Sequence, residues 1–259
     1  MVAWAVGANY KAGNGLIVVG CHTDSPHIKL KPTSKKTSKG MLQMGVQTYG
    51  GGLWSTWFDR DLGLGGCVLV KNDQGKIEQK LVRINKPLAR IPMLAVHLDR
   101  GTGTKITINT ETHLPAILCS AIKDQLLTAA QSKESKTAED VSGSASANHH
   151  NVLLQLVAQE VGATPENIVD FDLQLCDVQP STIGGVHNEF ILSGRLDNLF
   201  SVFCGVTAMC DTSTDKELAN DSSIRMYCAY HHEEIGSNSH CGAAGTITSD
   251  AVRRITIAL

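Results

Sequence analysis

Three short polar clusters in this sequence carry the residue types needed to hold a divalent metal and move a proton. They are His22-Thr-Asp24, Arg195-Leu-Asp197-Asn198 and His231-His-Glu233-Glu234. Together they offer imidazole nitrogen and carboxylate oxygen, a mixed donor set that suits zinc or a similar ion. In His22-x-Asp24 the imidazole can ligate a metal through one nitrogen. A carboxylate two residues on can orient the other nitrogen and fix the tautomer. In Glu233-Glu234 the adjacent carboxylates repel unless a cation sits near. One can then bind a metal while its neighbour stays free to take a proton from metal-bound water. Asp197, with two oxygens, can bridge cations about 3.5–4 Å apart. Each cluster alone has an ordinary explanation: a surface His beside a turn Asp, a solvated Glu-Glu turn, and an Asp that caps a helix. His231 and His232 read as flanking residues. His149, His150 and His240 read as structural or exposed.

Chemistry of this kind needs elements that bring the clusters to one sheet edge. Gly15-Leu-Ile-Val-Val-Gly-Cys-His22 is a continuous apolar run that ends in polar residues, as a buried strand of a parallel or mixed sheet reads. Residues 224–230 read as a second strand, and 198–210 as an apolar helix. The clusters therefore fall just past strands, or between a strand and a helix. In open α/β sheets, ligands bind outside the carboxyl ends of the strands.

The basic stretch 29–40 reads as a solvated loop. From Met41 to about Val96, short β-rich runs are separated by Gly50-Gly-Gly52 and Asn72-Asp-Gln-Gly75, an all-β texture. Residues 113–127 read as helical, and 132–147 as a Ser/Lys/Ala-rich loop. Residues 147–160 read as an amphipathic helix closed by Gly162. Thr164-Pro165 starts a short helical turn, and 172–176 alternates like a strand. The expected architecture is an α/β domain, residues 1–30 and 175–259, interrupted by an inserted β-rich domain, residues 31–174. The chain starts abruptly in strand-like sequence. It ends in helix-like sequence, residues 250–259, without Gly, Asn or Pro punctuation, as a piece of a longer protein would.

The chain has 259 residues, 42% hydrophobic and 19% charged, enough for one large globular domain or two smaller ones. A net charge of −2 gives no electrostatic case for nucleic acid or a membrane surface. No apolar run reaches the roughly 18–20 residues of a membrane span. The opening MVAWAVGANY lacks a basic n-region and a cleavage pattern. Eight cysteines without a C-x-x-C pair read as buried reduced thiols, which points to the cytosol. The sequence has no G-x-S-x-G elbow, which argues against a Ser–His–Asp hydrolase.

The clusters gain meaning in combination with two further blocks. Gly20-Cys-His-Thr-Asp-Ser-Pro26, Tyr49-Gly-Gly-Gly-Leu-Trp-Ser-Thr-Trp-Phe-Asp-Arg-Asp61, Ile91-Pro-Met-Leu-Ala-Val-His97, Arg195-Leu-Asp-Asn198 and Glu233-Glu-Ile-Gly-Ser237 occur in this order. Across nearly the whole chain they resemble the aspartyl aminopeptidase family of zinc metallopeptidases. The resemblance implies a partial zinc-aminopeptidase-like catalytic α/β domain and an inserted β-rich dimerisation domain. It implies His22, Asp197 and Glu234 as ligands of two zinc ions, with Asp197 bridging and cobalt or manganese as alternative metals. Glu233 would be the general base for a bridging water, and Asp24 would orient His22. His97 would reach a neighbouring subunit's active site and help bind substrate. Substrates would be peptides with N-terminal Asp or Glu, and the assembly a homo-oligomeric dodecamer.

Family members are longer on both sides, and their C-terminal half supplies one more Asp and one more His to the metals. The expectation is that this chain alone holds metal weakly and turns over poorly, because catalytic zinc has about three protein ligands. Two other readings remain open. One is a non-catalytic assembly module. The other is a related metallo-aminopeptidase with a different side-chain preference.

Overall fold

The computed structural model describes residues 1–98, 100, 106–131 and 145–259. The elements run β1 (Val2–Val6), β2 (Leu16–His22), β3 (His27–Ser38), β4 (Met41–Tyr49), β5 (Leu62–Lys71), β6 (Ile77–Ala89) and β7 (Ala116–Ser120). Then come α1 (Ala121–Gln131), α2 (Ala145–Asn148), α3 (Asn151–Val161), β8 (Ile168–Asp177), β9 (Thr182–Gly184) and β10 (Phe190–Leu192). The last are α4 (Leu196–Thr212), α5 (Asp215–Leu218), β11 (Ile224–Tyr230) and α6 (Ile247–Ala258). They form two units: residues 1–26 with 181–259, and residues 27–180. No described helix is long and apolar enough to cross a membrane.

In the first unit, β11 is the middle strand of a mixed sheet, ordered β1-β11-β2, antiparallel to β1 and parallel to β2. Successive side chains of a strand face opposite sides, and β11 uses both. Ile224, Met226 and Cys228 are buried with Ile255 and Val252 of α6. Tyr227, between them in sequence, faces the other way and is fully buried, and its hydroxyl donates to the Val202 carbonyl of α4 at 3.4 Å. Helices therefore cover both faces of β11, which is why its sequence is apolar apart from Arg225, which pairs with Asp221.

The second unit is a six-stranded sheet ordered β6-β5-β8-β3-β4-β7, with every neighbouring pair antiparallel. Its core includes Ile28, Leu30, Met44, Val46, Leu62, Leu64, Leu173 and Leu175 from the strands. The α3 residues Leu153, Leu154, Val157 and Ala158 close over it. Gly162 ends α3 in the left-handed conformation, its N–H turned back to the carbonyls of Ala158 and Gln159.

Several expectations are corrected here. The basic stretch 29–40 is a strand for most of its length, not a loop. Ile28 and Leu30 are buried, while Lys29 and Lys31 alternate with them and pair with Asp172 and Glu111. Pro32 falls where the β3–β4 register shifts, between Leu30 and Lys35, so its missing N–H breaks no regular ladder bond. The stretch 113–127 is not one helix. Ala116–Ser120 pairs with β4 as β7, and the helix begins only at Ala121. The inserted unit begins at His27 and ends at Pro180, where the sequence suggests 31 and 174, because β3 and β8 each run past those limits. Of the expected 132–147 loop, residues 132–144 lie outside the described residues, and α2 begins at Ala145. Among the cysteines only Cys228 is buried, and Cys204 and Cys210 on α4 are exposed.

Candidate metal centre

Strands β2 and β11 stop together, with His22 opposite Tyr230 in the parallel ladder. Beyond β2 the chain turns toward β11. The N–H and hydroxyl of Thr23 both donate to the Tyr230 carbonyl, at 3.0 and 2.8 Å. Beyond β11, His232 takes a left-handed conformation (φ 61°) and opens the 3₁₀ turn Glu233–Ile235, which Gly236 closes at φ 101°. The N–H of His231 donates to the Cys241 carbonyl at 3.0 Å. Two cluster-bearing segments thus leave adjacent strands at the same sheet edge.

Asp24 joins them. It is buried, and its carboxylate accepts the backbone N–H groups of Glu233 at 3.2 Å and Glu234 at 3.1 Å. Its backbone carbonyl lies 2.9 Å from Nδ1 of His22. A carbonyl only accepts, so Nδ1 carries the proton and Nε2 is left with a lone pair for a cation. Nε2 lies 3.5 Å from Oδ1 of Asp197 and 3.8 Å from Oε2 of Glu233. His22, Glu233 and Glu234 each present a ligand atom, all within 4.8 Å of one another.

Asp197 enters from α4. Arg195, at φ 60°, is the capping residue, so Asp197 is not the helix cap. Its backbone is extended inside the first turn (ψ 111°), its peptide bond to Asn198 is cis, and its side chain is 92% exposed. His231 lies close too, with Nδ1 4.0 Å from Oδ1 of Asp24 and its ring 4.1 Å from that of His232. Both histidines, flanking residues by sequence, thus border the site. Nothing in the sequence points to Ser239, whose hydroxyl lies 2.7 Å from Nδ1 of His232. His240 is exposed.

The electrostatics favour a cation. Asp24, Asp197, Glu233 and Glu234 gather around the imidazole of His22. Burial pushes the Glu234 carboxyl up from its ordinary pKa, and Glu233, Asp24 and Asp197 push it further against the opposing effect of His22. A donor set of one imidazole nitrogen and several carboxylate oxygens, with excess negative charge, fits zinc.

The second unit holds the other residues of interest. His97 sits in an exposed turn, flanked by exposed Leu94, Val96 and Leu98. A cleft of about 430 Å³ is lined by Asp59, Arg60, Asp61, Asp177 and Val178 among others. Its carboxylates are engaged: Asp61 by Arg90, Asp177 by Arg60, and Asp59 by the N–H of Met93 at 3.1 Å. His149 and His150 are buried. Nδ1 of His149 meets the Ser34 hydroxyl at 2.9 Å, and Nε2 of His150 meets the Lys36 carbonyl at 2.8 Å.

The family described as aminopeptidase I zinc metalloprotease (M18) matches residues 1–259. A probable aspartyl aminopeptidase of Ricinus communis is 47% identical, over 99% of this chain and 55% of its own length. The aspartyl aminopeptidase of Dictyostelium discoideum is 41% identical, over 98% of this chain and 54% of its own. The chain thus spans about half the length of these relatives. Among solved structures, Chaetomium thermophilum mApe1 matches with a TM-score of 0.84 at 34% identity, over 98% of this chain and 54% of its own. A chain of the Ape4 and Nbr1 complex gives a TM-score of 0.87 at 39% identity, over 98% of this chain and 47% of its own. The S. cerevisiae mApe1 dodecamer gives 0.76 at 30%, over 98% of this chain and 52% of its own.

Proposed function

The chain belongs to the aminopeptidase I zinc metalloprotease (M18) family, and from that premise we propose that it supplies the general base and part of the metal cage of an aminopeptidase. The observation that supports this most is the convergence of His22 Nε2, Asp197, Glu233 and Glu234 at the end of two parallel strands.

In this reading His22, Asp197 and Glu234 would hold two zinc ions, with Asp197 as a ligand common to both and cobalt or manganese as substitutes. When bound there, zinc would supply a water of near-neutral pKa and Lewis acidity toward the scissile carbonyl. Glu233 takes the water's proton and delivers it to the leaving amine. Asp24 orients His22 through its carbonyl, and holds Glu233 and Glu234 by their amides. The substrates are peptides that begin with Asp or Glu; the relatives' names, aspartyl aminopeptidases, support the Asp part of that preference.

The inserted unit pairs subunits, and His97 reaches a neighbouring subunit's site to bind substrate. Its exposure among Leu94, Val96 and Leu98, each more than half exposed, supports a contact role. The whole protein is a homo-oligomer, a dodecamer by analogy with the S. cerevisiae relative, and works in the cytosol. It engages neither nucleic acid nor membrane.

The test is made on the whole protein. About two zinc ions per subunit and release of N-terminal Asp from a peptide support the reading. A protein that binds no zinc and releases no amino acid is an assembly module, and that result overturns it. A panel of aminoacyl substrates decides the side-chain preference.

A further inference from the structure

Glu233 and Glu234 ride on a turn whose entry residue, His232, has φ 61° and ψ 26°. That region is disfavoured for a residue with a Cβ and persists only where the surroundings hold it. The holding contacts come from the residues that follow. The His232 carbonyl accepts the N–H of Ser237 at 2.8 Å and of Ile235 at 3.4 Å. Its ring nitrogen Nδ1 lies 2.7 Å from the Ser239 hydroxyl. The Cys241 thiol lies 3.5 Å from the same hydroxyl and 3.6 Å from the same nitrogen.

Ser239 is itself fixed. Its carbonyl accepts the N–H of Gly242 at 3.0 Å. Gly245 approaches so closely that a Cβ there would lie 2.0 Å from that carbonyl oxygen. The turn is therefore gripped from two directions. Asp24 takes its amides, and Ser239 takes the side chain of the residue that leads into it. The Ser239 hydroxyl meets the imidazole of His232, so its influence on Glu233 and Glu234 passes through His232.

We propose that Ser239 is a positioning residue for Glu233, acting through the imidazole of His232. The proposal rests on the reading of Glu233 as the general base. Without the hydroxyl, His232 relaxes toward an ordinary backbone conformation and carries the Glu233 carboxylate away from Nε2 of His22, now 3.8 Å distant. A displaced base slows proton transfer while substrate contacts elsewhere stay in place.

The experiment compares Ser239→Ala, Ser239→Thr and Glu233→Gln in the whole zinc-loaded protein, measuring kcat and KM for Asp release and zinc per subunit. Ser239→Ala is expected to lower kcat about tenfold, with KM within roughly twofold and zinc content unchanged. Ser239→Thr keeps the hydroxyl and recovers most of kcat. Unchanged kcat in Ser239→Ala, equal losses in the Ala and Thr variants, or loss of zinc together with kcat overturns the positioning role. Glu233→Gln reports separately on the base. If it stays active, the base assignment falls and the positioning role with it. If it is inactive while Ser239→Ala is unaffected, only the positioning role falls.

Discussion

The buried carboxylate of Asp24 accepts the backbone N–H of Glu234 at 3.1 Å across 210 residues of sequence. The same carboxylate accepts the N–H of Glu233, and the Asp24 carbonyl accepts a hydrogen bond from Nδ1 of His22. One residue thus sets the aim of an imidazole and the path of a two-carboxylate turn.

Asp24→Asn keeps the shape but puts an NH₂ group where an oxygen met an N–H. The turn is then held by one acceptor instead of two. Zinc affinity should fall about 10- to 100-fold, as read by titration against a competing chelator. An unchanged affinity would remove Asp24 from the support of the site.

Glu233→Gln removes the proposed proton acceptor and keeps the size. Its kcat should fall by about 10²–10⁴ with zinc content intact. If zinc departs together with activity, Glu233 is a ligand and the base lies elsewhere.

Excess negative charge around His22 should make zinc stabilising. A zinc concentration one hundred times Kd is expected to add about 2.7 kcal/mol, seen as a rise in Tm that His22→Ala abolishes. The raised pKa of Glu234 sets the sign of the pH effect. Protons compete for that carboxylate at a higher pH than for an ordinary one, so the zinc-induced rise should fade early on acidification. Equal rises in the parent and His22→Ala would put the ion at another place.

His149 gives the inserted unit its own acid sensitivity. Burial pushes its pKa from 6.5 down to about 4, with Asp170 opposing and His150 reinforcing. Between those values the unfolded chain binds the proton and the folded one does not. The stabilising effect of a neutral His149 is therefore complete above about pH 6.5 and is lost as pH falls toward 4. Urea midpoints at neutral and acid pH should converge more in His149→Leu than in the parent. Equal acid losses in both proteins would rule this out.

The parts of the site that the sequence makes legible are those with a strong local signal. Residues 16–22 are a continuous apolar run and 224–230 are apolar apart from Arg225; both end abruptly in polar residues, and both are strands with the polar clusters at their ends. β3 is hidden because its outward positions are mostly lysines and threonines, and Ile28 and Leu30 leave only a brief alternation. β7 was hidden because Ala116–Ser120 abuts a helix with no turn residue between them. The Ser239–His232 contact depends on the backbone path of residues 235–242, including two left-handed positions, Gly236 and Ser237. No spacing rule encodes that path.

The parallel ladder from Leu16 opposite Ile224 to His22 opposite Tyr230 works as an index. A substitution within either strand alters packing and leaves the index alone. Loss or gain of one codon between Leu16 and His22 does not. It slides the imidazole by about 3.3 Å and turns it to the opposite face, while the glutamates stay where β11 ends. In-frame single-residue indels in β2 should therefore be more damaging than most point mutations there, although Ile17, Val18 and Val19 are each about half exposed.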